Sequence, residues 1–490
     1  MQQLSSLDTQ FLNIENATTS GHVGSLILLD PAGGSGKDLT LEDVRAVLES
    51  RLHLVSTFRQ RLVTVPFGLG RPYWVDDPDF DIEFHLREMS LLEPGDEAEL
   101  AEQVARIHAR PLDRTRPLWE LYLIHHVAGG RQAVYSKVHH AAIDGISGAE
   151  ILATIMDVSV EPRTVEPPLD YWDPAPLPGA GDLLVRGLVS MATQPLDAVR
   201  ILPGALPHFA DLPGASLVPG AETISRIGDS LVNLVAGAAA RSQSVRHRRI
   251  TTPPTPLNAH ITAHRRFAFG SLPLDEVKQV KNAFGMTVND VVMALCATVL
   301  RRWLLDHDGL PDIPIVVAVP VSVRTDGEPG EGNQISVMLV ELSTQLRDPR
   351  DRLEAVREAV AVAKEQFEAV PATILQDFAT VIPTALSGLA AKAIFQMQTV
   401  RAFPFNLFVS NIPGPQLPLY VAGARVEGVY PVSAISNLTG ALNITLFSYD
   451  GKLDFGLIAC RELVPDVARL IGHLREALDE LLELTVTEPV

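Results

Sequence analysis

The feature that most constrains the fold of this chain is a proline-rich break that begins after residue 163. From Glu166 to Gly181, prolines recur among small and polar residues, and proline lacks the backbone N–H that helices and sheets require. The chain must therefore cross this region as an extended connection. With 490 residues, it is also longer than one hydrophobic core usually organises. We predict two domains with a cleft between them, which is a natural ligand site.

The break divides the chain into a domain at 1–163, an interdomain segment at 164–255 and a domain at 256–490. Both outer parts mix runs typical of strands with runs typical of helices, which indicates an α/β (α+β) fold. Strands are predicted at 24–29, 133–138, 265–269, 315–323 and 335–342, and helices at 97–110, 288–307, 350–370 and 464–484. A tight hairpin is predicted where Asp450-Gly451 lies between alternating apolar residues.

Two short motifs have the spacing of a capping box, in which two polar side chains hold the free amides at a helix start. Thr287 and Asp290 form one of them, and Asp290 is therefore predicted to be structural. Ser147 and Glu150 form the other, at the start of a helix near Gly148.

The interdomain segment contains two stretches with helical spacing of apolar residues, beginning at Leu184 and at Ile224. These helices either pack on the domains or lie on a lipid surface. A basic run from Arg246 to Arg249 follows them. It is either a solvated linker or a contact for the phosphates of coenzyme A or of anionic lipids.

The composition excludes several classes of protein. The net charge of −19 argues against a surface that follows nucleic-acid phosphates. No uncharged apolar run is long enough to span a membrane, and the first residues lack the pattern of a secretory signal. Cys296 and Cys460 lie in apolar runs, which predicts buried thiols rather than a disulfide. We expect a cytoplasmic protein, and contact with a membrane or lipid-droplet surface stays open.

The strongest chemical signal is the run from His139-His140 to Asp144-Gly145, which lies between a predicted strand and a predicted helix. Neighbouring strand residues face opposite sides, so one histidine can face a cleft while the other supports it. A neutral imidazole can remove a proton from a hydroxyl or amine at neutral pH. Taken alone, these residues fit a catalytic base, a hydrogen-bonded structural turn or part of a metal site.

Several motifs, met in order along nearly the whole chain outside 164–255, resemble those of the wax ester synthase/diacylglycerol acyltransferase family. This family lies within the HHxxxDG condensing acyltransferases of chloramphenicol acetyltransferase-like fold. Besides the histidine motif, the matching blocks are Leu7–Leu12, His22–Gly24, Phe58–Arg61, Pro72–Val75, Pro111–Glu120, Asn289-Asp290, Pro320–Arg324, Gly332–Gln334 and Ser410–Pro415.

The resemblance implies two chloramphenicol acetyltransferase-like domains with an active-site channel between them. It implies an O-acyltransferase that esterifies diacylglycerol, long-chain alcohols or both, with long-chain acyl-CoA as co-substrate and without a cofactor or metal. Two alternatives are a catalytically weak protein that binds lipid or acyl-CoA, and another acyl-condensing enzyme with the same motif. The chain has neither a Gly-x-Ser-x-Gly elbow nor a convincing cysteine nucleophile, which favours direct transfer.

By the same resemblance, His140 is the general base and His139 its structural neighbour. Asp144 is expected to hold the loop through an ion pair, for which Arg324 is a candidate partner because an arginine can clamp a carboxylate with two hydrogen bonds. The amide of Gly145 is a candidate donor to the oxyanion of the tetrahedral intermediate.

Two further residues carry open roles. Asn289 lies in the first turn of a predicted helix, where free amides and the helix dipole favour negative charge. It either helps to stabilise the oxyanion or packs at the helix start. Trp119 is predicted to give structural support in the core rather than to touch a ligand.

Overall fold

The computed structural model describes residues 1–68, 70–143, 154–168, 172–187, 189, 250–322, 335–368 and 404–487. These residues form two halves, each built on a six-stranded sheet, and one small sheet of three strands. The capping box predicted at Ser147 and Glu150 and most of the interdomain segment lie outside the described residues, although residues 180–187 are helical.

The sheet of the N-terminal half contains six strands: β2 (His22–Asp30), β5 (Leu86–Ser90), β6 (Trp119–Val127), β7 (Arg131–His139), β12 (Tyr420–Val421) and β13 (Ala424–Val432). Their order in the sheet is β12-β13-β2-β7-β6-β5. Only the β5–β6 pair is parallel within it. The strands predicted at 24–29 and 133–138 are therefore confirmed, and β7 lies between β2 and β6.

The remaining elements of this half surround that sheet. The small sheet has the order β1-β4-β3, with β1 (Gln2–Gln3), β3 (Gln60–Val63) and β4 (Tyr73–Asp76). The helices are α1 (Ser6–Asn13), α2 (Leu41–Glu49), α3 (Ile82–His85) and α4 (Glu97–His108). Asp96 caps α4 by accepting from the Glu99 amide, so the predicted helix begins where its acidic first turn suggests.

The sheet of the C-terminal half contains six strands: β8 (Arg265–Pro273), β9 (Ile315–Ser322), β10 (Ile335–Leu342), β11 (Leu407–Ile412), β14 (Leu442–Tyr449) and β15 (Lys452–Cys460). Their order in the sheet is β10-β9-β11-β14-β15-β8, and β11 runs parallel to both neighbours. Its helices are α5 (Leu274–Ala283), α6 (Val288–Asp306), α7 (Pro349–Glu368) and α8 (Val467–Thr487).

Local sequence signals explain most of this half. The capping box of Thr287 and Asp290 is present at the start of α6. Asp450 and Gly451 both have positive φ between β14 and β15, as the predicted hairpin requires. Helix α8 begins at Val467, three residues later than predicted, because Val464 precedes a proline and such residues avoid helical angles.

Helix α6 is the centre of the C-terminal core, and its residues from Val291 to Leu300 are buried. Both cysteines are buried free thiols, as predicted. No single helix among the described residues has the length and apolar character of a membrane span. The bent pair of α5 and α6 meets that test together, by length and composition alone.

The two halves are joined because β13, a strand of the C-terminal part of the chain, pairs with β2 in the N-terminal sheet. The sequence did not predict this crossing, in which a strand beyond the boundary at 256 joins the N-terminal sheet. Beneath it, Gly456 approaches so closely that a Cβ there would lie 1.8 Å from the Pro431 carbonyl oxygen. One apolar cluster then spans both halves, with Leu26 and Tyr135 from one sheet and Phe267 from the other.

A buried carboxyl group holds this crossing. Asp454 on β15 accepts hydrogen bonds from the Val429 amide at 2.8 Å and the Ser271 hydroxyl at 2.6 Å. Burial raises the pKa of Asp454 to about 6, although these hydrogen bonds act in the opposite direction. Its ionisation therefore opposes folding, and this penalty grows as the pH rises from the unfolded pKa of about 3.8 through 6.

We expect Asp454→Asn to stabilise the protein at pH 8 by about 1–3 kcal/mol, because the amide carries no buried charge. Its oxygen can accept from Val429 while its NH2 group donates to the Ser271 hydroxyl. Urea unfolding at pH 8 and pH 4.5 measures the effect, which should shrink at the lower pH. A variant that loses stability equally at both pH values would contradict this account of the buried charge.

Candidate active site

The two histidines of the motif lie at the carboxyl end of β7, held from both sides by the neighbouring chain. His139 pairs in register with His22 of β2 and donates its amide to the Leu118 carbonyl at 2.9 Å. The His140 amide donates to the Gly21 carbonyl at 2.8 Å. A short 3₁₀ turn, His140–Ile143, follows. The backbone of both histidines is therefore fixed where the strand ends.

The imidazole of His140 is half-buried and stacks on Phe11 of α1, with ring centroids 3.9 Å apart and planes 15° apart. Burial, with a smaller contribution from His139, lowers the pKa of His140 to about 4. The neutral, basic form of the ring is consequently favoured at neutral pH.

The imidazole of His139 is buried and has a partner on each nitrogen. Its Nδ1 accepts the Ala141 amide at 3.1 Å, so the proton resides on Nε2. Nε2 lies 3.2 Å from Oε1 of Glu15 and donates to it. The carboxylate of Glu15 thus lies behind the histidine motif, and this carboxylate was not predicted from the sequence.

Glu15 has further partners that keep it ionised. Its carboxylate accepts from the Gly21 amide at 2.7 Å and from Nε of Arg114 at 3.0 Å. Burial alone would raise the pKa of Glu15, but His139, the Gly21 amide and Arg114 together lower it to about 2. Glu15 lies only a few residues beyond the Leu7–Leu12 block, yet nothing in the sequence pairs it with position 139.

A second group of buried polar side chains lies next to this site. Nε2 of His22 donates to the His108 carbonyl at 2.6 Å, and Nδ1 of His108 accepts from the Tyr135 hydroxyl at 2.7 Å. Nε2 of His108 donates to the Ser433 carbonyl at 3.0 Å. Burial lowers the pKa of His108 to about 3, so this group is neutral. It ties the end of α4 to β2, β7 and the segment after β13.

Metal binding was one open interpretation of the histidine motif. Within the described ranges, no group of three or more His, Cys, Asp or Glu residues is placed to hold a metal ion. His139 instead has two hydrogen-bond partners, Glu15 and the Ala141 amide. These partners suit an imidazole that is fixed in one orientation.

Asn289 lies in the first turn of α6, where Asp290 accepts the Thr287 amide at 2.8 Å. The side-chain amide of Asn411 donates to Oδ1 of Asn289 at 3.4 Å. The structure thus brings together two asparagines from separate motifs, at the start of α6 and the end of β11. The contact uses the side-chain oxygen of Asn289 and not its NH2 group.

Three predicted site residues, Asp144, Gly145 and Arg324, lie outside the described residues, and the ion pair between Asp144 and Arg324 stays a prediction. Trp119 is only 2% exposed, and its indole N–H donates to the Phe58 carbonyl at 2.8 Å. Its ring stacks on Phe58 and on His85. It therefore packs in the core of the N-terminal half.

Comparison with known proteins gives a consistent result for both halves. Residues 4–292 match the wax ester synthase/diacylglycerol acyltransferase catalytic domain, and residues 331–482 match the C-terminal domain of the same family. A putative diacylglycerol O-acyltransferase of Mycobacterium tuberculosis is 36% identical, over 98% of this chain and 99% of its own length. A probable diacylglycerol O-acyltransferase of the same species is 33% identical over 97% of both chains.

Among solved structures, the wax ester synthase/diacylglycerol acyltransferase from Marinobacter aquaeolei VT8 aligns with a TM-score of 0.67 and 29% identity. The alignment covers 99% of this chain and 100% of that one. The first condensation domain of the calcium-dependent antibiotic synthetase aligns with a TM-score of 0.53 and 18% identity, over 99% and 96% of the chains. The second similarity concerns the fold, which is the two-domain chloramphenicol acetyltransferase-like fold.

Proposed function

The chain belongs to the wax ester synthase/diacylglycerol acyltransferase family and is an acyltransferase, and on this premise we propose its substrates and its base. It transfers a long-chain acyl group from acyl-CoA to the hydroxyl of diacylglycerol, of a long-chain alcohol or of both. His140 removes the proton of that hydroxyl. The observation that carries the assignment is the half-buried ring of His140, stacked on Phe11 at the end of β7, where burial lowers its pKa.

The reaction needs one group that both takes and returns a proton. The acceptor oxygen attacks the thioester carbonyl while Nε2 or Nδ1 of His140 takes the hydroxyl proton, which gives a tetrahedral oxyanion and an imidazolium. The oxyanion collapses, the carbon–sulfur bond breaks, and the imidazolium protonates the leaving thiolate. The products are a neutral ester and free coenzyme A, so the enzyme is unchanged and needs no covalent intermediate.

Two groups are suited to the oxyanion. Asn289 is the first, because its oxygen accepts from Asn411 at 3.4 Å and its NH2 group is a hydrogen-bond donor. Its position in the first turn of α6 adds the positive end of the helix dipole. The amide of Gly145 remains the second candidate, and Asp144 with Arg324 remains the proposed pair that holds the loop.

Contact with a membrane or lipid-droplet surface is part of the same proposal, because diacylglycerol and long-chain alcohols reside in such surfaces. Phe67 is 87% exposed and Val185 is 61% exposed, so both are large apolar side chains available for this contact. Their segments adjoin each other, since a Cβ on Gly70 would lie 3.5 Å from Cα of Gly187. Exposed apolar side chains on adjoining segments are consistent with contact with a lipid surface.

The test is release of free thiol from palmitoyl-CoA with a panel of acceptors presented in vesicles: diacylglycerol, hexadecanol and a long-chain amine. We expect thiol release that depends on a hydroxyl acceptor and equals the ester formed. His260→Ala, which changes an exposed histidine, is the matched control and should keep the full rate. Binding of palmitoyl-CoA without ester would instead identify a lipid-binding protein, and amide formation would identify a different condensing enzyme.

A further inference from the structure

We propose that Glu15 is a positioning residue for acyl transfer: its carboxylate, held by Arg114, fixes the ring of His139 and the backbone of His140. The inference rests on the proposed function, because it takes His140 as the group that accepts the proton. Glu15 does not touch the reacting atoms in this assignment. It acts through its hydrogen bonds with the His139 ring and with the Gly21 amide.

The first step of the argument is the ring of His139. Because Nδ1 accepts the Ala141 amide, the ring must carry its proton on Nε2, and that proton needs an acceptor. The side chain is 1% exposed, so bulk water does not reach it, and Glu15 supplies the acceptor. Without the carboxylate the ring would gain by turning or changing tautomer. Either change removes the bond to Ala141, which lies in the turn that begins at His140.

The second step is the backbone of His140. Oε1 of Glu15 accepts from the Gly21 amide, and the Gly21 carbonyl accepts from the His140 amide. The Gly21 peptide is therefore held between the carboxylate and the base. A Cβ on Gly21 would lie 2.8 Å from Nε2 of His139 and 2.7 Å from the Phe11 carbonyl oxygen, so only glycine fits this close approach.

The third step is the charge. Nε of Arg114 donates to Oε2 of Glu15 at 3.0 Å, and its Nη2 donates both to that oxygen and to the Leu12 carbonyl. Hydrogen bonds to an ionised acceptor are shorter and stronger than those between neutral groups. The arginine also joins Glu15 to the end of α1, the helix whose Phe11 stacks on His140. The Glu15 carboxylate thus holds the side chain of His139 directly and the backbone of His140 through the Gly21 peptide.

The experiment compares Glu15→Gln and Glu15→Ala with the wild-type enzyme under saturating palmitoyl-CoA and acceptor. We expect kcat to fall about 10–100-fold in both variants, as when a carboxylate that orients a functional histidine is removed. KM should stay within about twofold of the wild-type value, because positioning affects the reacting step rather than uniform binding. The melting temperature reports the fold of each variant.

Rescue separates positioning from a merely structural role. Added formate should restore a saturable part of kcat to Glu15→Ala, because it replaces the missing carboxylate, and should leave Glu15→Gln unchanged because the site is filled. Glu88→Gln is the matched control, since Glu88 also bonds a histidine, His125, at 2.7 Å but on the exposed side of the sheet. It should keep the wild-type kcat.

Two results would overturn the inference: Glu15→Gln with the full kcat, or a loss of rate in Glu15→Ala that formate does not change. These are distinct from failure of the proposed function. If His140→Ala retains the full turnover, the base is wrongly assigned whatever Glu15 does. If His140→Ala is inactive while Glu15→Gln is fully active, only the role of Glu15 fails.

Discussion

Replacement of His140 by alanine should lower kcat/KM for ester formation by about 10²–10⁴-fold, the usual contribution of a general acid–base group. The loss should appear in kcat, because the imidazole forms its decisive bond with the moving proton only in the transition state. Phe11→Leu tests the ring that stacks on His140 and should have a much smaller effect, since it removes the stack but leaves the base. Initial rates of thiol release give both values.

The pH dependence follows from the same residue. With a pKa of about 4, His140 is in its basic form from pH 8 down to pH 5, and the intrinsic rate should fall only as the pH approaches 4. Two histidines begin to lose their contribution to folding stability at a higher pH than this. His140 and His108 have lowered pKa values in the folded protein, so their contribution to stability is complete above about pH 6.5 and is lost as the pH falls toward 4 and 3. Initial rates must therefore be paired with unfolding measurements at each pH.

A wild-type rate that already halves near pH 6.5 while the protein stays folded would contradict the lowered pKa of His140. It would indicate that the base is a histidine with an ordinary pKa. A His140→Ala variant with more than a tenth of the wild-type kcat/KM would contradict the assignment of His140 as the base, because residual catalysis of that size does not need the imidazole.

The position of the histidine motif could be predicted from the sequence because its signals are local. The strand-like run at 133–138 predicts a strand, and the motif follows it directly, so His139 and His140 were expected at a strand end. The capping box at Thr287 and the Asp450-Gly451 hairpin were readable for the same reason: every residue that decides them lies within a few positions.

The support of the site could not be predicted, because it depends on contacts between distant parts of the chain. Glu15 and His139 are 124 positions apart, and no spacing rule joins them. The strand at Ala424–Val432 has the pattern of any half-buried strand, and that pattern does not say which sheet it joins. Only the folded chain shows that it crosses to β2 and that Asp454 holds it there.

The buried ion pair of Arg51 and Asp157 is the structural feature whose loss should be most damaging to the fold. Both side chains are almost completely buried, and Nη2 of Arg51 lies 2.8 Å from Oδ2 of Asp157. Nη1 of Arg51 donates to the Thr154 carbonyl at 3.0 Å. The backbone of Asp157 exchanges two hydrogen bonds with Tyr420, next to the crossing strand. The pair therefore joins the residue segment after α2 to residues 154–157 and, through Tyr420, to the C-terminal part of the chain.

We expect Arg51→Met to reduce the free energy of unfolding by about 3–5 kcal/mol, because Asp157 then loses its buried cation and keeps a longer contact, 3.9 Å, with the exposed guanidinium of Arg163. Adding Asp157→Asn should recover much of this loss, since the poorly paired buried charge is then removed. Arg45→Met is the matched control on α2: its partner Glu83 is exposed, so about 0–1 kcal/mol is expected. Urea unfolding of the four proteins measures all terms. If Arg51→Met were as mild as Arg45→Met, or if the double variant were no more stable than Arg51→Met, the buried charge would not be what fixes this junction.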